Sequence, residues 1–340
     1  MSVKQAIACA VEGQDVEPQL LEAAFSQIMA GEATPAQIGA LLVALRVKGE
    51  SVSEIVAAAR ALRAAAISLP PALPQTVDTC GTGGSGRGSF SISTTAAFVV
   101  AGAGVPVAKH GNRAVTSHTG GSFDTFEALG VRIDLPVEEC ARILAEIGIA
   151  PFFARTAHPA FRHVGPVRTE IGIRTLLNCL GPLLNPLGVR HQIVGVYSAD
   201  LVEPLAGALG ALGARRAMVV HGDDGLDELT TTGTSLMAVV EDGAVETSVV
   251  DPEALGLRRV KPDQLAGGSA EVNAEILRRV LTGETGAQRD IVCLNAAGAL
   301  YAACAVESLE QGLVRAEESL DSGAAARKLS ELIDRTQAVD

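Results

Sequence analysis

A cluster of glycine, serine and threonine residues lies between residues 80 and 95. It reads CGTGGSGRGSF from Cys80 to Phe90 and continues as SISTT from Ser91 to Thr95. Glycine lets phosphate oxygens approach the backbone closely, and hydroxyls at a helix start add hydrogen-bond donors. The glycine spacing matches neither a Walker A loop nor a dinucleotide-binding fingerprint. The cluster therefore predicts a site for an anion such as phosphate or pyrophosphate.

Charged residues follow two other β-like segments. The run KHGNR, residues 109–113, offers Lys109 and Arg113 to neutralise phosphate and Asn112 to contact a polar substrate group. For His110, a structural role and a role as a base both remain open. Asp227 and Glu228 are adjacent carboxylates of the kind that bind Mg²⁺ together with substrate phosphates. Alone, this pair is more typical of an ordinary acidic turn, but a pyrophosphate at the glycine cluster would need such a counter-cation.

Two arginines, Arg168 and Arg174, lie six residues apart in PVRTEIGIR. One of them can pair with Glu170 while the other binds a carboxylate through two hydrogen bonds. His158 and Arg162 lie just upstream and add polar groups to the same segment. An ordinary surface loop remains an open alternative for these residues.

Strands that alternate with helices must position these residues. Apolar strand candidates are TVDTC, VPVAKH, APFFAR, HQIVGVYS and RRAMVVHG, and MAVVEDGAVETSVV predicts a hairpin around Asp242 and Gly243. Helical patterns separate most of them. Apolar strands alternating with helices indicate a mainly parallel sheet that is covered on both faces.

The first 68 residues predict helices only, including one that opens at Ser53 and runs to Ala66. The proline-rich LPPALPQ, residues 69–75, is the best candidate for a domain linker. Residues 166–186 are helical and apolar, so we expect them to pack on the N-terminal helices. The prediction is an α/β fold with a small all-helical domain and a large α/β domain whose mainly parallel central sheet is flanked by helices. The small domain is placed at 1–70, completed by about 168–188, and the large domain at 76–166 and 190–340.

Composition limits the function classes. Of 340 residues 48% are hydrophobic, and the formal net charge is −12, which argues against a nucleic-acid surface. The six scattered cysteines form no metal-ligand spacing and indicate reduced thiols. The N-terminus lacks the apolar core of a signal peptide, and no apolar run is long enough for a membrane span. We therefore expect a cytoplasmic protein with neither a nucleic-acid nor a membrane partner.

With these residues in view, the chain resembles the anthranilate phosphoribosyltransferase family along nearly its whole length. The segments that carry the resemblance keep their order and include ALLVALRVKGES, GTGG, VAKHGNR, FEALGV, GVYS and LNAAGALY. The resemblance implies a homodimer with its active site between the two domains. It also implies transfer of phosphoribose from phosphoribosyl pyrophosphate to the amino group of anthranilate, in tryptophan biosynthesis.

The resemblance also implies a role for individual residues. Lys109, Asn112 and Arg168 would be catalytic, and Ser93, Asp227 and Glu228 would hold Mg²⁺, with two ions expected per site. Anthranilate would contact Gly81, Asn112, His158 and Arg168, with Arg168 nearest its carboxylate. The phosphoribosyl donor would contact a larger set: Gly81, Gly84, Ser85, Ser89, Ser91, Ile92, Ser93, Thr94, Lys109, His110, Gly111, Asn112, Arg113 and Ser117.

Three features depart from the family pattern. Ser85 replaces the aspartate of GTGGDG, Ser91 replaces the asparagine of the NIST-like motif, and the loop from Ala114 to Asp124 is one residue longer. The run HTGGSFDTFEAL is similar to a segment of pyrimidine nucleoside phosphorylases. A transferase for another aromatic acceptor, a pentosyl phosphorylase and a non-catalytic nucleic-acid-binding paralogue are therefore the alternatives. The acidic charge and the Asp227-Glu228 pair argue against the last of these.

Overall fold

The computed structural model describes residues 2–70, 72–84, 86–113 and 121–339. The strands in these ranges are β1 (Val77–Gly81), β2 (Val107–Gly111), β3 (Ile149–Phe153), β4 (His191–Gly195), β5 (Arg216–Gly222), β6 (Ser235–Glu241) and β7 (Ala244–Val250). The N-terminal helices are α1 (Ser2–Val11), α2 (Pro18–Met29), α3 (Pro35–Lys48) and α4 (Val52–Ala64). The later helices are α5 (Ile92–Gly102), α6 (Ser122–Ala128), α7 (Val137–Ile147), α8 (Ala154–Ala157), α9 (Gly165–Ile171), α10 (Leu176–Leu180), α11 (Val202–Ala211), α12 (Ala270–Leu281), α13 (Ala287–Ala302), α14 (Leu309–Asp321) and α15 (Ala324–Gln337).

The seven strands form one sheet in the order β3-β2-β1-β4-β5-β6-β7. The first five strands in this order pair in parallel, whereas β6 and β7 are antiparallel. The β6–β7 hairpin turns at Asp242 and Gly243, both with positive φ (47° and 88°), as its aspartate–glycine pair predicts. The predicted mainly parallel sheet beside a small helical region is confirmed.

Each face of the sheet packs against a different set of helices. Neighbouring strand residues point to opposite faces, so Ile193 of β4 joins the core formed with α5, α7 and α12–α15, while Val194 joins the core formed with α1–α4 and α11. Both are almost fully buried. The central strands are therefore covered on both sides, and ligands can approach only along an edge formed by strand ends.

Local signals fix the N-terminal helices. Thr34 and Ser51 each cap a helix in a reciprocal capping box, with Gln37 and Glu54 as the partners three residues later. The predicted start of α4 at Ser53 is one residue late, because the helix begins at Val52 and the serine that caps it is Ser51. The predicted end at Ala66 is also late, since α4 ends at Ala64.

The segment that interrupts the strand–helix alternation packs as expected. Val167 of α9 and Leu176 of α10 belong to the same apolar core as the N-terminal helices. A side chain at Gly39 of α3 would lie 3.8 Å from Val167, which shows how closely α3 and α9 approach. Within the described ranges, no helix is both long and apolar enough to cross a membrane.

Candidate active site

The sheet order brings the predicted site segments to one edge. β2, β1, β4 and β5 are neighbours and run parallel, so their carboxyl ends meet at the same edge. The glycine cluster follows β1, KHGNR ends β2, and the acidic pair follows β5. In parallel α/β sheets this edge is where ligands bind. The structure therefore groups three segments, residues 80–95, 109–113 and 227–228, of which the last is far from the other two in the sequence.

The glycine cluster is a loop that joins β1 to α5. Gly83, Gly84, Gly86 and Gly88 all have positive φ, between 64° and 82°, a conformation that disfavours other residues. The loop is held at its start by the bond from the Thr82 N–H to the carbonyl of Gly195, at 2.8 Å. Its end is held at Ser89, which forms a β-bridge with Ala266.

The start of α5 contributes backbone groups more than side chains. Ile92 and Thr94 are buried, so ligands can reach them only through the backbone. The hydroxyl of Ser91 lies 2.7 Å from that of Thr125 in α6, so Ser91 is already engaged. The N–H of Ser93 donates to a carboxylate oxygen of Glu228 at 3.2 Å. The acidic pair therefore lies against the N-terminus of α5, where the helix dipole favours negative charge.

The acidic pair can approach the sheet because two strands end in glycine. A side chain at Gly195 would lie 1.7 Å from the backbone oxygen of Asp227, and one at Gly81 would lie 3.2 Å from its carboxylate. Gly81 and Gly195 are themselves paired in the sheet. Gly195 must therefore lack a side chain for Asp227 to occupy this place, whereas a side chain at Gly81 would make a tight contact.

The loop that carries the acidic pair is held at both ends by the sheet. Gly222 at the end of β5 pairs with Ser235 at the start of β6. Inside the loop, the carboxylate of Asp224 accepts bonds from the N–H of Leu226 (3.0 Å) and the hydroxyl of Thr230 (2.7 Å). These bonds keep the loop compact around Asp227 and Glu228.

The Glu228 carboxyl lies in a crowded, negatively charged place. Removal from water, followed by repulsion from Asp227, raises its pKa to about 8, although the ammonium of Lys109 partly opposes the shift. Two carboxylates and the Ser93 hydroxyl form a set of oxygen donors, which suits Mg²⁺. Among the described residues no group of three or more His, Cys, Asp or Glu side chains could hold a metal. The two carboxylates and the Ser93 hydroxyl therefore fit a metal ion whose other coordination positions are filled by water and substrate oxygens.

Lys109 lies beneath the site rather than at its surface. Its side chain is 1% exposed, and its ammonium donates to the carbonyl of Thr79 and lies 3.4 Å from the Ser93 hydroxyl. Burial lowers its pKa, and the charges of Asp78, Cys80 and Glu228 act in the opposite direction. Lys109 thus places positive charge behind Ser93 and the acidic pair.

Asp78 of β1 anchors the strand that carries Lys109. Its carboxylate is fully buried and accepts a bond from the N–H of His110 (3.1 Å) and one from the amide of Asn185 (2.9 Å). Burial raises its pKa to about 6, while Asn185 and Lys109 act against that rise. Sequence analysis overlooked Asp78, although a carboxylate within a buried strand pattern is a signal that partners must exist.

Two neutral histidines, His110 on β2 and His158 before α9, contact each other. The rings of His110 and His158 meet edge to face, 5.2 Å apart. His158 Nε2 lies 2.8 Å from the carbonyl of Leu184, so this nitrogen carries the proton. Burial lowers the pKa of His110 to about 3 and that of His158 to about 4. Because His110 is buried on β2 and its pKa is low, it is poorly suited to accept a proton as a base.

Replacing His110 by glutamine should flatten the pH dependence of stability. The unfolded chain takes up a proton at His110 below its ordinary pKa of 6.5, whereas the folded protein does so only near 3. Stability is therefore lost as the pH falls below 6.5, by about 1.4 kcal/mol per pH unit for this histidine. Denaturant unfolding at several values between pH 6 and 4.5 should show that difference in slope; parallel curves for the two proteins would contradict it.

Arg168 of α9 is a half-buried cation. Among the described residues, no hydrogen bond or ion pair engages its guanidinium. The ion pair expected between Glu170 and one of the two arginines, Arg168 or Arg174, is absent from the described residues. Burial lowers its pKa, and no carboxylate in the described part of the chain offsets this. Such a guanidinium can bind a carboxylate from a ligand through two hydrogen bonds.

Other predicted site residues have different surroundings. Arg113 forms a two-bond ion pair with Glu127, at 2.6 and 2.7 Å, and lies over the ring of Phe153. Asn112 is exposed, and its side-chain oxygen accepts from the N–H of Arg113 at 2.9 Å. Gly111 ends β2 against Phe123. Ser85, Ser117 and most of the longer loop lie outside the described residues.

Comparison with known proteins extends these observations. The glycosyl transferase family, helical bundle domain, matches residues 4–66, and the glycosyl transferase family, a/b domain, matches residues 73–326. The anthranilate phosphoribosyltransferase of Moorella thermoacetica is 54% identical over 331 residues, covering 97% of each chain. That of Symbiobacterium thermophilum is 51% identical and covers 96% of this chain and 95% of the relative.

The chain belongs to the anthranilate phosphoribosyltransferase family.

Solved structures of anthranilate phosphoribosyltransferases share the fold. The enzyme from Thermus thermophilus superimposes with a TM-score of 0.92 at 43% identity, covering 98% of this chain and 99% of that one. The enzyme from Saccharomyces cerevisiae, in complex with phosphoribosyl pyrophosphate and Mg, gives a TM-score of 0.89 at 27% identity, covering 99% and 98%. This chain is thus a pentosyltransferase-family protein over nearly its whole length.

Proposed function

We infer that this protein transfers the phosphoribosyl group from phosphoribosyl pyrophosphate to the amino group of anthranilate, releasing pyrophosphate. The reaction belongs to tryptophan biosynthesis. The observation that carries this inference is the meeting of the glycine loop and the Asp227-Glu228 pair at one sheet edge, in a chain that matches anthranilate phosphoribosyltransferases over almost its full length. No observation favours a phosphorylase or a nucleic-acid-binding protein.

The donor is proposed to bind between the glycine loop, the start of α5 and the end of β2. The positive φ angles at Gly83, Gly84 and Gly86 support close approach of phosphate oxygens to the backbone. The residues assigned to the donor are those of the sequence prediction: Gly81, Gly84, Ser85, Ser89, Ser91, Ile92, Ser93, Thr94, Lys109, His110, Gly111, Asn112, Arg113 and Ser117. For Arg113, this role requires exchange of its ion pair with Glu127 for the donor.

Ser93, Asp227 and Glu228 are proposed to hold two Mg²⁺ ions. Their oxygen atoms and the crowding of negative charge at Glu228 support this assignment. The ions supply positive charge that offsets the charge of the pyrophosphate. The protein's own part is to hold both carboxylates against the N-terminus of α5, with the Lys109 ammonium behind them.

Anthranilate is proposed to bind beside Gly81, Asn112, His158 and Arg168. Among the described residues the guanidinium of Arg168 has no hydrogen-bond or ion-pair partner, which supports contact with the carboxylate. The ring of His158 is buried between those of His110 and Phe161. Lys109, Asn112 and Arg168 are the proposed catalytic residues. As the bond from the ribose C1′ to pyrophosphate breaks, Lys109 stabilises the departing charge, and the positioned amine attacks from the opposite face.

A fluorescence assay tests the proposed function. Purified protein with Mg²⁺ and phosphoribosyl pyrophosphate should consume the fluorescence of anthranilate, with pyrophosphate released in equal amount. A parallel reaction with a pyrimidine nucleoside and phosphate should show no cleavage. No anthranilate turnover at high protein concentration would overturn the inference, and nucleoside cleavage would identify a phosphorylase instead.

A homodimer, a cytoplasmic location and the two-domain division at 1–70 with 168–188 are further proposals. Two apolar residues of α3, Val43 and Val47, are exposed to solvent, and Val47 is 82% exposed. Such exposed apolar residues support self-association. Light scattering of the purified protein should give about twice the chain mass of 34.8 kDa. A mass equal to one chain would contradict the dimer.

A further inference from the structure

The middle of the glycine loop has few fixed points. At Gly83 and Gly86 an added side chain would meet none of the described atoms within 4 Å, so that side of each glycine faces open space. The next residue, Arg87, does have a contact, because a side chain at Gly225 would lie 2.6 Å from its guanidinium. Gly84 differs, because a side chain there would lie 3.4 Å from the guanidinium of Arg174. Arg174 Nη2 donates to the carbonyl of Gly84 at 2.7 Å. This bond is a fixed point between the two held ends of the loop.

Tyr197 orients the guanidinium that makes this bond. The central carbon of the Arg174 guanidinium lies 4.2 Å from the centre of the Tyr197 ring, a distance typical of a cation–π contact. The backbone N–H of Tyr197 donates to the Thr82 hydroxyl at 3.2 Å. Tyr197 therefore contacts both Arg174 and the start of the glycine loop, and the three residues form one connected unit.

Arg174 reaches the loop from the helical side of the molecule. It lies between α9 and α10, and these helices share the apolar core of α1–α4. Its side chain is exposed, and none of the described acidic residues forms an ion pair with it. An exposed arginine without an acidic partner contributes little to folding. Its contact with Gly84 is therefore better explained by a role in the site than by a role in stability.

We propose that Arg174 is a positioning residue for the phosphoribosyl donor, which acts by holding the Gly84 carbonyl and is itself oriented by the ring of Tyr197. This inference rests on the proposed function, because the donor is the ligand assigned to the glycine loop. Its effect falls on the donor rather than on anthranilate, since the bond from Arg174 ends on the loop, whereas Arg168 has no partner among the described residues and is the arginine proposed to bind the carboxylate.

Kinetics and direct binding test this role. Arg174→Ala should raise the KM for phosphoribosyl pyrophosphate, and its Kd measured by calorimetry with Mg²⁺, about tenfold. The KM for anthranilate should change less than twofold, and the melting temperature should stay within 2 °C of the wild type. Arg174→Lys should recover part of the loss, because it keeps a charged donor but stacks less well on the ring. Arg60→Ala is the matched control, since Arg60 is also exposed and donates to a carbonyl, that of Ala211.

Substitutions at Tyr197 test the orienting contact. Tyr197→Phe keeps the ring and should behave as the wild type, whereas Tyr197→Leu should raise the donor KM and add little to Arg174→Ala. An unchanged donor KM and Kd in Arg174→Ala, or equal rises for both substrates, would overturn the proposal. Absence of turnover in the wild type would instead overturn the proposed function, so the two failures are distinguishable.

Discussion

Replacing Asp78 by alanine should lower the free energy of unfolding by about 3–5 kcal/mol. The substitution removes the acceptor of two buried donors, the N–H of His110 and one N–H of the Asn185 amide, whose other bond goes to the carbonyl of Ala108. It also removes a negative charge near the buried ammonium of Lys109. Loss of one partner from a buried charged network typically has a cost of this size. Denaturant unfolding at pH 7, where the wild-type carboxyl with its pKa of about 6 is mostly ionised, provides the measurement.

Two further variants make the result interpretable. Asp78→Asn keeps the volume and one acceptor oxygen, so its loss should be about half as large and it should still fold. Asp134→Ala removes an exposed carboxylate whose surface ion pair with Arg132 should contribute less than about 1 kcal/mol. If Asp78→Ala stayed within 1 kcal/mol of the wild type, the buried network would not support this part of the sheet.

Arg168→Ala should reduce kcat/KM for anthranilate by roughly 10- to 150-fold, because a hydrogen bond to a charged group contributes about 1.5–3 kcal/mol. The KM for phosphoribosyl pyrophosphate should change less than twofold. Steady-state kinetics with each substrate varied in turn provides the measurement. Arg155→Ala, at an exposed arginine of α8, is the control and should leave both values unchanged.

An acceptor without a carboxylate shows whether Arg168 acts through that group. The wild type should use anthranilate far better than aniline, and Arg168→Ala should lose most of this preference. Equal losses for anthranilate and the phosphoribosyl donor would show that Arg168 does not contact the carboxylate. A retained preference for anthranilate in the variant would lead to the same conclusion.

Much of the fold follows from local patterns in the sequence. The apolar runs predict β1 to β5, Asp242 and Gly243 predict the hairpin, and the interrupting segment packs where its apolar character requires. Sequence patterns also single out the glycine loop and Asp227-Glu228, because each follows a strand whose carboxyl end lies at the same edge. Parallel pairing brings such segments together whatever their separation along the chain.

Features that depend on tertiary contacts could not be predicted. The ion pair of Arg113 with Glu127 joins residues 14 positions apart, and the Ser91 contact with Thr125 joins the residue before α5 to α6. Gly195 looks like any strand glycine until Asp227 is seen against it. The burial of the Lys109 side chain likewise depends on β1 and β3, the strands on either side of β2. Residue type and spacing predict which groups gather at a site but leave their pairing and depth undetermined.

The antiparallel position of β6 has a consequence for the thermodynamics of ligand binding. Because β6 returns directly beside β5, the acidic loop starts and ends where Gly222 lies opposite Ser235. The N–H of Asp223 donates to the carbonyl of Thr234 at 2.9 Å, and the carboxylate of Asp224 accepts two bonds inside the loop. Backbone that is already ordered loses little conformational entropy when a ligand binds. The backbone that carries Asp227 and Glu228 is therefore ordered before a ligand binds. Their contacts with a ligand contribute to affinity with little entropy cost for ordering the loop.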